Sequence, residues 1–382
     1  MDFTLTEAEH ELVDLGRAYA EREIAPIAAE AWRAERCPTE VLRGLGELGL
    51  LGPLVPEKWG GIDASTVGFV SLLETLAAID PSIASAWQAH STIGSLPLLL
   101  FGSDDQRERW LRPLAEGRAL GAFGLTEPGA GSDVRSIRTR ATRAPGGWVL
   151  NGQKAFISNA GTEMSFGVTV LARLDEDTAD RPRFGSFIVE RGATGYAEGP
   201  KLRGIGWRSL DTRELFFDGV FVPDDQVVGE PGAGLRQFLG ALEVGRISIA
   251  ALSVGTAEGA LRLALAYAKE REQFGAKISS FQAVQFKLAD MATEIAAARW
   301  LTYYAAFLRD AGKPFKKEAA MAKLKASRVA TAVTSEAVQI FGGAGYSLES
   351  PVARFYCDAK ALEIGEGTNE IQHLVIAREL GC

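Results

Sequence analysis

The stretch GLRQFLGALEVGRISIAALSVGTAEGALRLALAYAKEREQFG, Gly234 to Gly275, decides the fold. It is a long Ala- and Leu-rich helical pattern that ends on a glycine-containing link. Two more such patterns follow, SFQAVQFKLADMATEIAAARWLTYYAAFLRDAG and FKKEAAMAKLKASRVATAVTSEAVQIFGG, and NEIQHLVIAREL closes the chain as a fourth. Long helices on short links predict an up-down four-helix bundle over residues 229–382.

Upstream the texture changes. From about Gly121 glycine and proline are frequent, and GGWVLNG, SFGVTVLARL, FGSFIVERG and RELFFDGVFVP are rich in Val, Phe and Ile. Such runs between turn residues predict strands, so 121–228 reads as a small β domain, a barrel or sandwich. Residues 1–120 read as helices. EAEHELVDLGRAYAEREIAPIAAEAW spaces Leu12, Leu15, Tyr19, Ile24 and Ile27 helically, and Pro26 is expected to kink or end that helix. TVGFVSLLETLAAID is a more apolar helix stopping near Asp80-Pro81, and SDDQRERWLRPLAEG a short helix capped at Ser103. The fold class expected is α+β: an all-α N-terminal domain, a β middle domain and a C-terminal four-helix bundle.

The bulk numbers fit a soluble globular protein. The chain has 382 residues, 47% hydrophobic and 24% charged, enough for two or three packed domains. A net charge of −8 argues against a general nucleic-acid binder. Cys37, Cys357 and Cys382 are widely separated and suggest no disulfide framework, which points to a reducing cytoplasm. The acidic, amphipathic N-terminus lacks signal-peptide regions. The apolar runs read as too short, or too interrupted by charge, to cross a membrane.

Several motifs are absent. GAGSDV, GIGWRS, GAGLRQ and GAGYSL all lack the third glycine of a dinucleotide fingerprint. There is no phosphate-binding GKS/T loop and no GxSxG elbow. His10, His90 and His373 form no ligand pattern, so no metal site is expected and each reads as a surface or packing histidine.

Other stretches admit two readings. GLTEPGAGSDV (Gly124–Val134) is either a plain Gly/Pro loop or a nest of backbone N–H groups suited to an anion or a polar ring edge. In KAFISNAG, Phe156 and Ser158 are either core residues or a platform for a flat cofactor ring. Arg271 in KEREQFG caps a helix end or holds a phosphate. The glycines of QIFGGAGY end a helix or admit a ligand. In IGEGTNEIQ, Glu366 between two glycines is either a solvated turn residue or a positioned base.

Taken in order, GLTEPGAGSDV, KAFISNAG, REQFG…FQAVQFKLADM, QIFGGAGY and DAKALEIGEGTNEIQHLVIAREL resemble the signatures of the acyl-CoA dehydrogenases. The likeness covers essentially the whole chain, including LGLLGPLVPEKWGG and FFDGVFVP. It implies tightly bound FAD, a homotetramer, and electrons passed to an electron-transfer flavoprotein. It places Phe123, Thr126, Gly131 and Ser132 along the flavin and the neighbouring acyl-CoA. Phe156 and Ser158 would flank the isoalloxazine, where the family usually has Trp and often Thr. Arg271, Phe274, Gln282, Gln339, Gly342 and Gly343 would reach FAD in a partner subunit. Thr368 and Glu370 would lie near its adenosine diphosphate end, and Glu243 and Arg246 beside the CoA.

The same resemblance makes Glu366 the catalytic base, removing the α-proton while a β-hydride leaves to the flavin. Gly365 and Gly367 would allow the backbone path that presents the base and an N–H to the thioester carbonyl. Members that place the base on a long helix have it just before the equivalent of Arg246; here that residue is Gly245. Gly365, where straight-chain members often have Tyr, suggests room for a branched or substituted acyl group, and Trp87 is expected to shorten the acyl pocket, so a short or branched chain is expected. The expected reaction is α,β-dehydrogenation of an acyl-CoA to the trans-2-enoyl-CoA. A carrier-protein-linked dehydrogenase or an acyl-CoA oxidase on the same fold is the alternative within enzymes. A non-catalytic scaffold is the alternative outside them, and the retained Glu366 and flavin loop speak against it.

Overall fold

A computed structural model of the chain describes residues 5–175 and 182–382. Helices come first: α1 (Glu7–Tyr19), α2 (Ala25–Arg33), α3 (Thr39–Glu47), α4 (Thr66–Ala77), α5 (Pro81–Ala89), α6 (Leu96–Phe101), α7 (Asp104–Gln106) and α8 (Arg112–Ala115). Seven strands follow: β1 (Phe123–Gly124), β2 (Arg140–Ala144), β3 (Gly147–Ser158), β4 (Gly167–Leu174), β5 (Phe184–Glu190), β6 (Tyr196–Glu198) and β7 (Thr212–Pro223). Last come α9 (Gly234–Glu270), the hairpin β8 (Glu272–Gln273) and β9 (Ala276–Lys277), then α10 (Gln282–Asp310), α11 (Lys316–Phe341), α12 (Pro351–Leu362) and α13 (Asn369–Glu379).

Local chemistry explains the boundaries. Thr6 and Glu9 form a capping box at the start of α1, and Ser103 with Gln106 repeats it at α7. Asp80 accepts the Ile83 N–H and Pro81 opens α5, so the expected stop after α4 is also a start. Pro26 does not end the first helix. A π-helical turn, Ala20–Ile24, joins α1 to α2, and Pro26 sits in the first turn of α2. Leu15 of the expected apolar stripe is instead exposed.

The strands form one mixed seven-stranded sheet. β2, β3, β7 and β6 run antiparallel in that order. β4 pairs in parallel with β1 and β2 and antiparallel with β5. The inward residues of the sheet make their own core, whereas α1–α5 and α9–α12 share another. The N-terminal and C-terminal helices are therefore one packed body around α9.

Two readings are corrected here. α9 is long and apolar enough, by length and composition, to cross a membrane; 78% of its most apolar window is buried within the protein. Its apolarity is that of a helix surrounded on most sides. The C-terminal part also carries α12, a helix absent from the sequence reading, whose charged residues and short length hid its buried face.

Candidate active site

The loop between α12 and α13 carries Glu366. Its backbone has φ +51, a left-handed conformation rare for a residue with a side chain. The loop is closed on itself: the Asn369 N–H donates to the Glu363 carbonyl at 3.0 Å and Gln372 Nε2 donates to the Gly367 carbonyl at 2.8 Å. Lys323 of α11, fully buried, donates from below to the Glu363 carbonyl at 3.2 Å and to Asn369 Oδ1 at 3.1 Å. Thr368 caps α13 by accepting the Ile371 N–H. Such over-determination is what allows a strained residue to persist.

The carboxylate turns inward. Glu366 Oε1 accepts a 2.7 Å hydrogen bond from Gln88 Nε2 of α5, and Oε2 is buried with no hydrogen-bond partner among the described residues. Gln88 is itself held at Ser248 Oγ of α9 (2.7 Å) and Thr92 Oγ1 (3.0 Å). Burial pushes the Glu366 carboxyl up to about 7, against the Gln88 hydrogen bond and the charges of Lys323 and Arg246. Arg246 of α9 is buried beside it, with Nε and Nη1 lacking a hydrogen-bond partner among the described residues. Burial lowers the Arg246 pKa, which Glu243 and Glu366 oppose. A base near neutrality and a buried, unfilled cation form one cluster, suited to removing a proton from a ligand with electron-rich oxygen atoms.

Gly245 lies under the same carboxylate. A Cβ added there would overlap Glu366 Oε2 and stand 3.1 Å from its carboxyl carbon. A side chain at 245 and the carboxylate of Glu366 therefore address one place, and here only the latter is present.

The second half of the site is on the sheet. Lys154 and Glu127 form a fully buried pair at 2.8 Å that pins the Gly124–Val134 loop to β3, and the Ala155 N–H donates to the Thr126 carbonyl. The β3–β7 register breaks between Lys154 and Ile157, and within that bulge Phe156 adopts φ +60 with 62% of its surface exposed. Ser158 follows, half-buried. Gly131 and Ser132 are exposed, and a Cβ at Gly131 would meet nothing within 4 Å. Phe123 is buried and stacks on Phe238 of α9, with ring centres 4.2 Å apart. An exposed aromatic face beside an open polar loop fits a planar ring such as a flavin.

α5 links the two halves. Its Gln88 faces Glu366, while its Ala86 carbonyl accepts from Asn159 Nδ2, next to Ser158. His90, which follows α5, is fully buried; its Nδ1 accepts the Gly121 N–H and its Nε2 faces the Leu51 carbonyl. It is a packing histidine, as expected for one of the three.

Other predicted residues lie apart. Arg271, Phe274, Gln282, Gln339, Gly342 and Gly343 are exposed at the ends of α9, α10 and α11, and Glu370 is exposed on α13. Trp87 is fully buried, stacks on Phe69 and donates from Nε1 to the Leu50 carbonyl. Its neighbour Gln88 holds the site role that sequence reasoning missed. The available signal was a glutamine inside an otherwise apolar buried helix. Lys323 was missed too, in a helix whose other lysines are surface residues.

Fold and site together describe an α+β chain in which the buried Glu366 carboxylate is tied through α5 to the bulged end of β3. The chain matches the acyl-CoA dehydrogenase N-terminal domain over residues 6–118, the middle domain over 122–220 and the C-terminal domain over 232–381. It belongs to the acyl-CoA dehydrogenase family. A probable acyl-CoA dehydrogenase of Bacillus subtilis is 43% identical over 100% of both chains. The short-chain specific acyl-CoA dehydrogenase of Clostridium acetobutylicum is 38% identical over 100% of both. Among solved structures, butyryl-CoA dehydrogenase from Megasphaera elsdenii superposes with TM-score 0.96 at 40% identity, covering 100% of each chain. A chain from a structure described as the electron transferring flavoprotein of Acidaminococcus fermentans gives TM-score 0.96 at 40% identity, covering 100% of this chain and 99% of that one. An acyl-CoA dehydrogenase from Bacillus anthracis complexed with FAD gives 0.92 at 30% identity, covering 98% of this chain and 68% of that one.

Proposed function

We propose that this protein is an FAD-dependent dehydrogenase of short-chain acyl-CoA thioesters that forms trans-2-enoyl-CoA. The observation that carries the reading is the buried, neutral-range carboxylate of Glu366 held by Gln88 beside the unfilled Arg246. Glu366 takes the α-proton, and dry surroundings match its basicity to the task. Gln88 fixes the carboxylate through Oε1 and leaves Oε2 free for the proton. Arg246 binds electron-rich atoms of the thioester and its CoA. When bound, FAD supplies the hydride acceptor. Phe156, Ser158, Thr126, Gly131 and Ser132 would hold its ring, with Phe123 behind them. The similarity to butyryl-CoA dehydrogenase and to a short-chain specific enzyme supports a short acyl group.

Electron-transfer flavoprotein is the proposed acceptor. We further propose a homotetramer in which Arg271, Phe274, Gln282, Gln339, Gly342 and Gly343 complete the FAD site of a partner subunit, with Thr368 and Glu370 near the adenosine diphosphate. Phe274 supports this: at the β8–β9 turn its side chain is 97% exposed, which leaves an aromatic ring for a partner to cover. Residues 1–120, 121–228 and 229–382 are the proposed domains, and a cytoplasmic location fits three free cysteines. Mixing the purified protein anaerobically with short, branched and long acyl-CoAs while following its visible absorbance tests the reading. Bleaching by butyryl-CoA is expected. A protein that carries no flavin, or flavin that no acyl-CoA bleaches, would contradict it.

A further inference from the structure

We infer that Trp207 forms the wall of the acyl pocket beside the reacting carbons and selects straight-chain over branched acyl groups. The inference rests on the dehydrogenase reading and names its substrate more narrowly. A Cβ added at Gly365, the residue before the base, would stand 3.3 Å from Trp207 Cη2 and 3.6 Å from Cζ3. The indole occupies the direction a side chain at 365 would take. Gly365 therefore does not open the room for branching that the sequence suggested; a ring from the loop between β6 and β7 closes it.

The placement is enforced. Trp207 has φ +51, which a bulky aromatic residue adopts only when its surroundings leave no alternative. Its N–H donates to Asp358 Oδ1 of α12 at 2.6 Å, and the same oxygen accepts from Trp32 Nε1 at 2.9 Å. Asp358 is fully buried. The loop rests on α12, since a Cβ at Gly206 would be 2.7 Å from Asp358 Cα. On the other side the Ser209 N–H donates to Ser82 Oγ of α5 at 2.9 Å, and the Leu210 N–H donates to the Trp207 carbonyl at 3.0 Å. The indole N–H is buried without a hydrogen-bond partner among the described residues, so backbone contacts, not the ring's own polar atom, aim it. Trp207 and Glu366 are thus two left-handed residues from separate segments, one facing Gly365 across space and one following it in the chain. A ring clamped there admits a flat, unbranched chain and collides with a methyl on the α or β carbon.

The test uses the flavin-loaded enzyme and compares kcat/KM for butyryl-CoA, isobutyryl-CoA and isovaleryl-CoA in wild type, Trp207→Phe and Trp207→Ala. Wild type is expected to favour butyryl-CoA. Trp207→Ala is expected to narrow that preference by about tenfold or more, the usual weight of one methyl in an apolar pocket. Trp207→Phe keeps a ring and is expected to retain most of the preference. A titration of each variant with the three thioesters should show the same shift in relative dissociation constants. A wild-type preference for branched thioesters would overturn the inference, as would unchanged ratios in Trp207→Ala, or in a smaller Trp207→Leu change should Trp207→Ala not hold flavin. Activity with butyryl-CoA throughout would keep the dehydrogenase reading intact in those cases, whereas no activity with any thioester would sink that reading itself.

Discussion

The carboxylate of Glu366 lies against Gly245, so closely that any side chain on that residue would overlap it. One comes from the loop before α13 and the other from the middle of α9, yet they address the same point. Replacing Gly245 by Ala should push the carboxylate aside without disturbing the fold. A displacement of about 1 Å at a reacting group can lower the rate on the order of 100-fold. Single-turnover rates with unchanged flavin content and unfolding midpoint would check this. A rate within threefold of wild type would mean that the carboxylate is not placed as described.

The charge of Lys323 acts on Glu366, the proposed base. Burial holds its own pKa down at about 8, against the charges of Glu366, Glu363 and Glu370, with Arg246 lowering it further. Its ammonium favours the carboxylate form of Glu366, so removing it should raise the pKa of the base above about 7. Lys323→Met should move the acid limb of the kcat/KM profile to higher pH, with most of the lost rate regained in alkali. Arg246 and Glu243 from α9 and Gln88 from α5 remain in both proteins. A rate lowered equally at every pH would assign Lys323 a packing role only.

His90 makes the fold acid-sensitive. Burial depresses its pKa from 6.5 to about 4. A group with a depressed folded pKa contributes stability above its unfolded pKa and loses it as the pH falls. Unfolding midpoints should therefore decline between pH 6.5 and 4, and a His90→Gln variant should decline less steeply over that window. Parallel curves would rule His90 out as a source.

Phe274, exposed at the β8–β9 turn with φ +52, should matter only in the assembly. Phe274→Ser should leave the subunit fold intact while weakening the proposed tetramer and its hold on FAD. Light scattering and the flavin-to-protein ratio would show both effects. A variant that stays tetrameric with full flavin would contradict the proposed partner role.

Most of the architecture was legible in the sequence because its signals are local. The Ala- and Leu-rich texture of α9, α10 and α11, the cap at Asp80-Pro81 and the β-branched runs of β3, β4, β5 and β7 each act within a few residues. Glu366 was singled out through the family resemblance of its loop; two flanking glycines and a following helix alone left it either a solvated turn residue or a positioned base. The groups around it were not. Gln88 lies 278 residues away from Glu366 in the chain, and no periodicity marks a glutamine that must face a distant carboxylate. Trp207 stood only within GIGWRS, a stretch set aside for lacking a third glycine; what holds it, the Asp358 side chain of α12, lies 151 residues further along the chain. The π-helical turn before Pro26 was hidden for a different reason: it relieves a local conflict that sequence rules resolve by ending the helix.

The most direct test is anaerobic single-turnover reduction of the flavin-loaded Glu366→Gln variant by butyryl-CoA, set beside wild type. The variant keeps the size and the hydrogen bond to Gln88 but cannot take a proton. Flavin content and thioester affinity are expected to stay close to wild type while the rate falls by about 10²–10⁴, the range for a general base. A rate unchanged within threefold, with butyryl-CoA bound as tightly, would show that Glu366 is not the group that removes the proton.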